Sequence, residues 1–96
     1  MKHTEEQMLI KAKKILKDLN PQYFKDDHLL GVSYKESDEI SRPRGKIMNT
    51  WVAVIEEPVF KSSEFLIISD ETGEPLYIQG KHSIYEISKD DKGNYY

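Results

Sequence analysis

Three short apolar runs follow one another in the second half of the chain, at residues 51–55, 65–68 and 76–78. Each run has the length of a strand and is rich in β-branched and aromatic residues. The last two runs are joined by Asp70-Glu-Thr-Gly73, which has Asp at the first position of a turn and Gly where a positive φ is required. This pattern predicts a meander of antiparallel strands, with a type I turn and a bulge before the last of the three.

The N-terminal region has the pattern of an amphipathic helix. Its apolar residues recur at spacings of one, three and four, as on one face of a helix: Met8, Leu9, Ala12, Ile15, Leu16 and Leu19. Thr4 and Gln7 have the spacing of a capping box, and Asn20-Pro21 ends the run. Because this face has no Trp or Phe to anchor it at a lipid interface, we expect it to pack on the protein's own sheet.

The residues between the helix and the first apolar run predict one more strand and a long loop. Leu30, Val32 and Tyr34 alternate with small or polar residues, as in a half-buried strand. The charged stretch 36–45 follows, with one proline and one glycine as breakers. We expect this stretch to be an irregular loop.

The second and third strands are expected at residues 49–57 and 64–69. The second is apolar on both faces, which is typical of a central strand that is covered on both sides. We expect the helix to cover one face, with Trp51 in the core. The other face then needs a cover too: either the sheet curls on itself, or a second molecule binds there.

The C-terminal residues give a weaker pattern. Residues 83–87 have an ambiguous period and are consistent with a fifth strand or a short helix. We expect residues 1–88 to form a single α+β domain, because 96 residues leave no room for a second core. Residues 89–96 are expected to be a flexible C-terminal tail.

Charge and composition disfavour several classes of function. The net charge is −3 and the pI is near 5.6, which argues against nucleic acid or an anionic membrane as the main partner. The chain has no cysteine, so it has no disulfide, no thiolate nucleophile and no zinc site of the Cys type. With no segment that resembles a secretory signal or a membrane span, we expect a cytoplasmic protein.

No pattern of residues predicts catalysis or cofactor binding. His3, His28 and His82 have no partners at metal-ligand spacing, and the glycines lack the spacing of a phosphate-binding loop. Paired acids such as Glu56-Glu57 point to opposite faces of a strand, so they cannot act on one substrate. We therefore expect a protein that is not an enzyme, with no catalytic, cofactor-binding or metal-binding residue.

Part of the chain resembles the small immunity proteins of bacterial polymorphic toxin systems that have an NTF2-like fold. The resemblance covers residues 45–80 and rests on Gly45, Trp51-Val52, Phe65–Ile68, Asp70 and Gly73–Ile78. PepSY-like and cystatin-like domains share much of this pattern. Where such immunity proteins often have Gly-Gly before the third strand, this chain has Lys61-Ser-Ser63. The resemblance implies an N-terminal helix on a curved antiparallel sheet of four to five strands.

The resemblance also implies a function, since immunity proteins act by binding and blocking a toxin. We expect a non-enzymatic immunity protein, monomeric or a weak homodimer, whose partner is a toxin domain of a basic, nuclease type. Two alternatives stay open. One is a small-ligand-binding NTF2-like domain, which would need a deep pocket. The other is a homodimeric structural or regulatory domain that pairs through the second apolar face of the sheet.

Polar loops held on a rigid sheet are where recognition is most often found. The predicted charged contacts to the partner are Glu36, Asp38, Glu39, Arg42, Glu56 and Glu57. The predicted aromatic anchors are Tyr34 and Phe60, with Trp51 as a third candidate that we place in the core instead. The acidic side chains among them would attract a basic toxin surface and speed its association.

Overall fold

The computed structural model describes residues 1–56 and 62–96, and it confirms the predicted α+β fold with one N-terminal helix on an antiparallel sheet. The elements are α1 (Glu5–Leu19), a 3-10 turn (Asp26–His28), β1 (Leu29–Glu39), β2 (Ile47–Glu56), β3 (Ser63–Ser69), β4 (Pro75–Gln79) and β5 (Ile84–Glu86). The five strands lie side by side in chain order, and each is antiparallel to the next. Residues 83–87, for which the sequence allowed either a strand or a short helix, thus contain the short edge strand β5.

Strand β1 differs from expectation, because it runs on to Glu39 instead of giving way to a loop over 36–45. A bulge in this part of the strand makes the extension possible, since two residues of β1 oppose the single residue Asn49. Within the bulge, Ser37 has a φ of 53°, and its N–H donates a hydrogen bond to the Asn49 side-chain oxygen at 2.9 Å. The charged run therefore stays in the sheet, and only residues 40–46 connect β1 to β2.

Helix α1 is closed at both ends as predicted. The Gln7 N–H donates to Thr4 Oγ1 at 3.1 Å, and the Thr4 N–H donates to Gln7 Oε1 at 2.9 Å, which completes the capping box. At the other end, the Asn20 N–H donates to the Leu16 carbonyl at 2.9 Å. The buried face of the helix consists of Met8, Ala12, Ile15 and Leu16.

The main core lies between α1 and the near face of the sheet. The helix packs there with Val32, Trp51, Ala53, Ile55, Leu66, Ile68 and Tyr95. Burying each large apolar side chain contributes about 1.5–3 kcal/mol, so this contact supplies much of the free energy that holds the helix on the sheet. The placement of Trp51 in the core, 3% exposed, confirms its prediction.

A buried carboxylate, Asp70, connects this core to residues 1–4, which precede α1 and are called the N-terminal arm here. Asp70 is 2% exposed and accepts a hydrogen bond from Trp51 Nε1 at 2.8 Å. It also accepts the backbone N–H groups of Lys2 at 2.8 Å and His3 at 3.1 Å. Burial alone would raise the pKa of Asp70, but these three hydrogen bonds outweigh it and hold the pKa below its usual value.

The turn between β3 and β4 has the predicted geometry and also accommodates the arm. Gly73 has a φ of 74°, and its N–H donates to the Ser69 carbonyl at 2.8 Å. A Cβ at Gly73 would lie 2.7 Å from Nε2 of His3. Glycine is therefore needed here for both its backbone conformation and the space it leaves to the arm.

Residues 89–96, which the sequence predicted as a flexible tail, are anchored in the main core by Tyr95. Tyr95 is 3% exposed and forms an antiparallel bridge with Lys89. Its hydroxyl donates to Glu74 Oε2 at 2.6 Å, and its N–H donates to Asp18 Oδ2 at 3.2 Å. Through its backbone N–H and its hydroxyl, Tyr95 thus ties the C-terminal segment to helix α1 and to the turn before β4.

Lysines surround this anchor. The ammonium groups of Lys11, Lys14 and Lys89 lie 5.3, 5.5 and 5.7 Å from the centroid of the Tyr95 ring. Lys11 and Lys89 also donate to Glu74, each at 3.2 Å. Burial of the Glu74 carboxylate would raise its pKa, but the bonds from Tyr95 and the two lysines lower it below its usual value.

The role of Asp70 predicts a large loss of stability in Asp70→Ala. This variant leaves the Trp51 indole N–H buried without an acceptor, and we expect the free energy of unfolding to fall by about 2–4 kcal/mol. Asp91→Ala, at an exposed position, should change it by less than about 0.5 kcal/mol. Urea unfolding followed by the fluorescence of Trp51 measures both.

The same experiment at lower pH tests the charge on Asp70. Because its pKa is lowered in the folded state, its contribution is present above the usual value of 3.8 and is lost as the pH falls through the folded-state pKa. The stability difference between wild type and Asp70→Ala should therefore shrink in acid. A difference that is small at neutral pH, or that does not change with pH, would contradict this account.

The Tyr95 anchor predicts a late tyrosine ionisation. Burial, together with the hydrogen bond to Glu74, raises the pKa of Tyr95 to about 12. The stabilisation linked to its neutral form is complete below the usual value of 10.0 and is lost as the pH rises through about 12. Titration of tyrosinate absorbance should show a late-ionising group that Tyr95→Phe removes and that Glu74→Gln shifts to lower pH. An unchanged late phase in Tyr95→Phe would refute the assignment.

Candidate functional site

The face of the sheet that points away from α1, here called the back face, is only partly covered. Trp51, Ala53 and Ile55 of β2 lie in the main core, so the alternate residues of this strand point to the back face. The pairing of the strands places these residues on that face: Gly31, Ser33, Lys35, Val52, Val54, Glu56, Phe65, Ile67, Tyr77, Gln79, Ile84 and Glu86.

One half of the back face is covered by the connection between β1 and β2. Ile40, in this connection, is 2% exposed and packs in a second apolar cluster with Ile67 and Tyr77, which are 6% and 4% exposed. The Ser41 N–H donates a hydrogen bond to the Tyr77 hydroxyl at 3.0 Å. The hairpin thus folds back over its own sheet, which answers part of the question of what covers this face.

A buried polar pair lies at the covered end. Thr50 Oγ1 donates to Asp38 Oδ2 at 3.0 Å, and both side chains are buried, Asp38 at 7% exposure. Lys35 Nζ lies 3.1 Å from the other Asp38 oxygen. The Asp38 carboxylate, which the sequence predicted as a partner contact, is therefore buried and engaged within the protein.

The other half of the back face is less covered by the described residues, and its members Val52 and Ile84 pack against the edge of the covered cluster. We call this half the open patch and define it as Gly31, Ser33, Val52, Val54, Phe65 and Ile84. Phe65 is 38% exposed, Ser33 is exposed, and Val52, Val54 and Ile84 are half-buried. A Cβ placed on Gly31 would have no other atom within 4 Å. The open patch is therefore a largely apolar surface, with open space where a side chain at position 31 would lie.

Acidic side chains lie on two sides of the open patch. Glu56 follows Val54 on the same face of β2, and Glu86 lies opposite Tyr77 on the edge strand β5. Lys35 is the basic residue of this face, and it is paired with Asp38. The surroundings of the patch therefore carry both signs of charge, since Arg42 and Arg44 line the pocket that reaches Ile84.

The predicted contact residues are scattered relative to this patch. Glu36, Glu39 and Arg42 are exposed on β1 and the hairpin connection. Glu39 and Arg42 line a pocket of about 410 Å³ that reaches Ile84 and so adjoins the open patch.

The remaining predicted contacts have different surroundings. Glu56 is half-buried at the border of the patch. Tyr34 is half-buried on the other face of the sheet, with its ring 5.3 Å from that of Trp51, so it supports the main core and is not an exposed anchor. Glu57 and Phe60 lie outside the described residues.

Sequence reasoning did not select Phe65, Gly31 or Glu86. The second apolar side of β2 was the available signal, since it indicates an apolar surface opposite the helix. Which residues of the other strands share that surface depends on the pairing register across five strands, which periodicity within one strand does not contain.

The chemical groups of this surface suit binding. Its centre is aliphatic and aromatic, and its border is carboxylate. Within residues 1–56 and 62–96, no three His, Asp or Glu side chains are grouped closely enough to hold a metal ion. In the same residues, no helix is long and apolar enough to cross a membrane.

Because Asp38 is buried, we expect its side chain to contribute to the free energy of unfolding. The exposed Glu36 and Glu39 on the same strand should not contribute. Asp38→Ala removes the acceptor of the Thr50 hydroxyl and the ion-pair partner of Lys35, and we expect the free energy of unfolding to fall by about 1–3 kcal/mol. Glu36→Ala and Glu39→Ala serve as matched controls at exposed positions of the same strand and should each change it by less than about 0.5 kcal/mol. Equal effects of the three variants in urea unfolding would contradict this assignment.

Comparison with known proteins gives no relative. No protein-family model, no curated protein and no solved structure matches the chain. The likeness of residues 45–80 to immunity proteins thus stays a prediction, and the surface described above is the main support for any function.

Proposed function

We propose that this chain is a non-enzymatic immunity protein that binds a cognate bacterial toxin in the cytoplasm and covers its active site or substrate groove. The observation that carries the proposal is the open patch, an apolar surface that the helix does not cover and that the hairpin covers only at its edge. Contiguous exposed apolar surface on a small domain is a mark of an interaction site. The resemblance of residues 45–80 supports a toxin as the partner.

The distribution of charge supports the same proposal. The chain has a net charge of −3, and Glu56 and Glu86 border the patch. The exposed side chains of Glu36 and Glu39 add acidic groups on β1. A toxin that cleaves nucleic acid needs a basic groove, and complementary charge speeds association with such a groove and favours it over neutral surfaces.

The two alternatives use neighbouring features. The pocket of about 410 Å³ beside the hairpin, with Arg42 and Arg44 in its lining, is the place where a small anionic ligand would bind. The open patch itself would be the interface of a homodimer. A ligand that raises the melting temperature favours the first, and a mass that doubles with concentration favours the second.

A capture and growth experiment tests the proposal. The tagged chain is used to capture partners from a lysate of its source organism, and the captured domain is then expressed in a laboratory bacterium with and without the chain. We expect the captured domain to arrest growth and the wild-type chain to restore it. A captured protein that is harmless on its own would contradict an immunity function.

Matched variants locate the surface that is responsible. Phe65→Ser removes an exposed apolar side chain from the open patch, and Ile10→Ser removes one, 66% exposed, from α1. Loss of a contact worth about 1.4 kcal/mol weakens binding about tenfold, so Phe65→Ser should bind the captured domain at least that much more weakly. Ile10→Ser should bind and protect like wild type. Equal protection by both variants would exclude the patch.

A further inference from the structure

The outer edge of β1 is the long edge of the sheet. Strand β1 has 11 residues and is the first strand of the order β1-β2-β3-β4-β5, so β2 lies on one side of it. The strand at the opposite edge, β5, has three residues. An edge strand presents N–H and C=O groups that are able to pair with a further strand. The edge of β1 is therefore where another strand has the most backbone to bond with.

The pairing of the strands determines which groups of β1 point outwards. The Asp70 N–H donates to the Asn49 carbonyl at 3.0 Å, so odd-numbered residues of β2 bond with β3 and even-numbered ones bond with β1. Ser33 lies opposite an even-numbered residue of β2, and its neighbours Val32 and Tyr34 lie opposite odd-numbered ones. The N–H and C=O groups of these two neighbours therefore point outwards. In the part of the chain that the structure describes, they have no backbone partner.

Two bulges limit the regular part of this edge to residues 31–35. The first lies just before Gly31 and the second just after Lys35. Solvent reaches this part of the strand, since Ser33 is exposed and Leu30 is 57% exposed. The bulges leave a short window in which a further strand can pair in regular geometry, and Ser33 is its central residue.

This window is complementary to a second copy of itself in antiparallel orientation. When Ser33 lies opposite Ser33 of the second copy, Val32 of each copy lies opposite Tyr34 of the other, and all their outward groups form hydrogen bonds. The same register sets an aromatic ring against a β-branched side chain, which is a favourable cross-strand pair. A register shifted towards either end would place bulge residues opposite these groups and lose half of the bonds.

The side chains on the back face fit the same register. Gly31 of each copy lies opposite Lys35 of the other, and a Cβ at Gly31 would have no other atom within 4 Å, so the lysine side chain has room there. Lys35 is the charged residue of the window, and the two lysines lie at opposite ends of it. The pairing therefore sets no like charges directly opposite each other, although each copy has a net charge of −3.

We propose that two copies of the chain pair through residues 31–35 of β1 and form one continuous antiparallel sheet, with five strands from each copy. The two-fold axis passes beside Ser33 and is perpendicular to the sheet, so both α1 helices lie on the same side. This pairing leaves Phe65, in the open patch, uncovered, and it does not rest on the proposed function. Because the window is short, the dimer is weak and forms at high concentration.

Sedimentation equilibrium of variants at Ser33 tests the pairing and its register. We expect the wild-type chain to form dimers as its concentration rises towards about 1 mM. Ser33→Lys and Ser33→Glu each set like charges opposite one another at the axis, so each should weaken dimerisation at least tenfold. An equimolar mixture of the two variants should dimerise again, because Lys then lies opposite Glu. A monomeric wild type, variants that dimerise like wild type, or a mixture that stays monomeric would overturn the proposal.

A proline variant tests the outward backbone groups. Tyr34→Pro removes an N–H that points away from β2, which is a position where an edge strand tolerates proline. Tyr34→Val keeps this N–H and is the matched control for loss of the ring, which packs near Trp51. Tyr34→Pro should dimerise at least tenfold more weakly than Tyr34→Val, and equal dimerisation would count against the pairing. If Tyr34→Pro does not fold, the variants at Ser33 decide the question.

The outcome can be told apart from the experiments on the open patch. Phe65→Ser changes the patch, and it should dimerise like wild type. A dimer that Phe65→Ser dissociates and that Ser33→Lys does not would overturn this proposal and favour a homodimer through the patch. A chain that stays monomeric would overturn the pairing of β1 and leave the proposed immunity function standing.

Discussion

The hydrogen bond from the Trp51 indole to the buried carboxylate of Asp70 is the interaction on which the rest of the structure depends. At 2.8 Å it joins the central strand to the turn after β3, and the same carboxylate accepts two backbone N–H groups of the N-terminal arm. Because Trp51 faces the helix, its fixed position decides which residues of β2 face the other way. The composition of the back face follows from this one orientation.

The two faces of the sheet are covered by different means. Helix α1 and Tyr95 cover the near face, and the carboxylates of Asp18 and Glu74 hold that tyrosine in place. The back face is covered by the β1–β2 hairpin at one end, through Ile40 and its neighbours. The other end keeps a partly exposed apolar surface around Phe65, and this unequal division of cover is the basis of the proposal that another protein binds there.

The helix, its capping box and the turn at Gly73 could be predicted because their signals are local, and the apolar runs sufficed for β2, β3 and β4. The remaining features depend on contacts between distant parts of the chain. Strand β1 continues because the Asn49 side chain satisfies a bulge, and the C-terminal segment is ordered because Tyr95 reaches Glu74. For the site, the composition predicted that acidic side chains contact the partner. Which of these side chains are buried, as Asp38 is, and which residues surround the exposed Phe65 depends on the register across the strands.

The central claim is that the open patch is the surface that another protein covers. The most direct measurement is methyl NMR of the chain with and without the partner captured from its source organism, using saturation transferred from the partner. The account predicts that the methyl groups of Val52, Val54 and Ile84 receive saturation, whereas that of the exposed Ile10 on α1 does not. Transfer to Ile10 with none to Val54 would place the interface on the helix and contradict the claim.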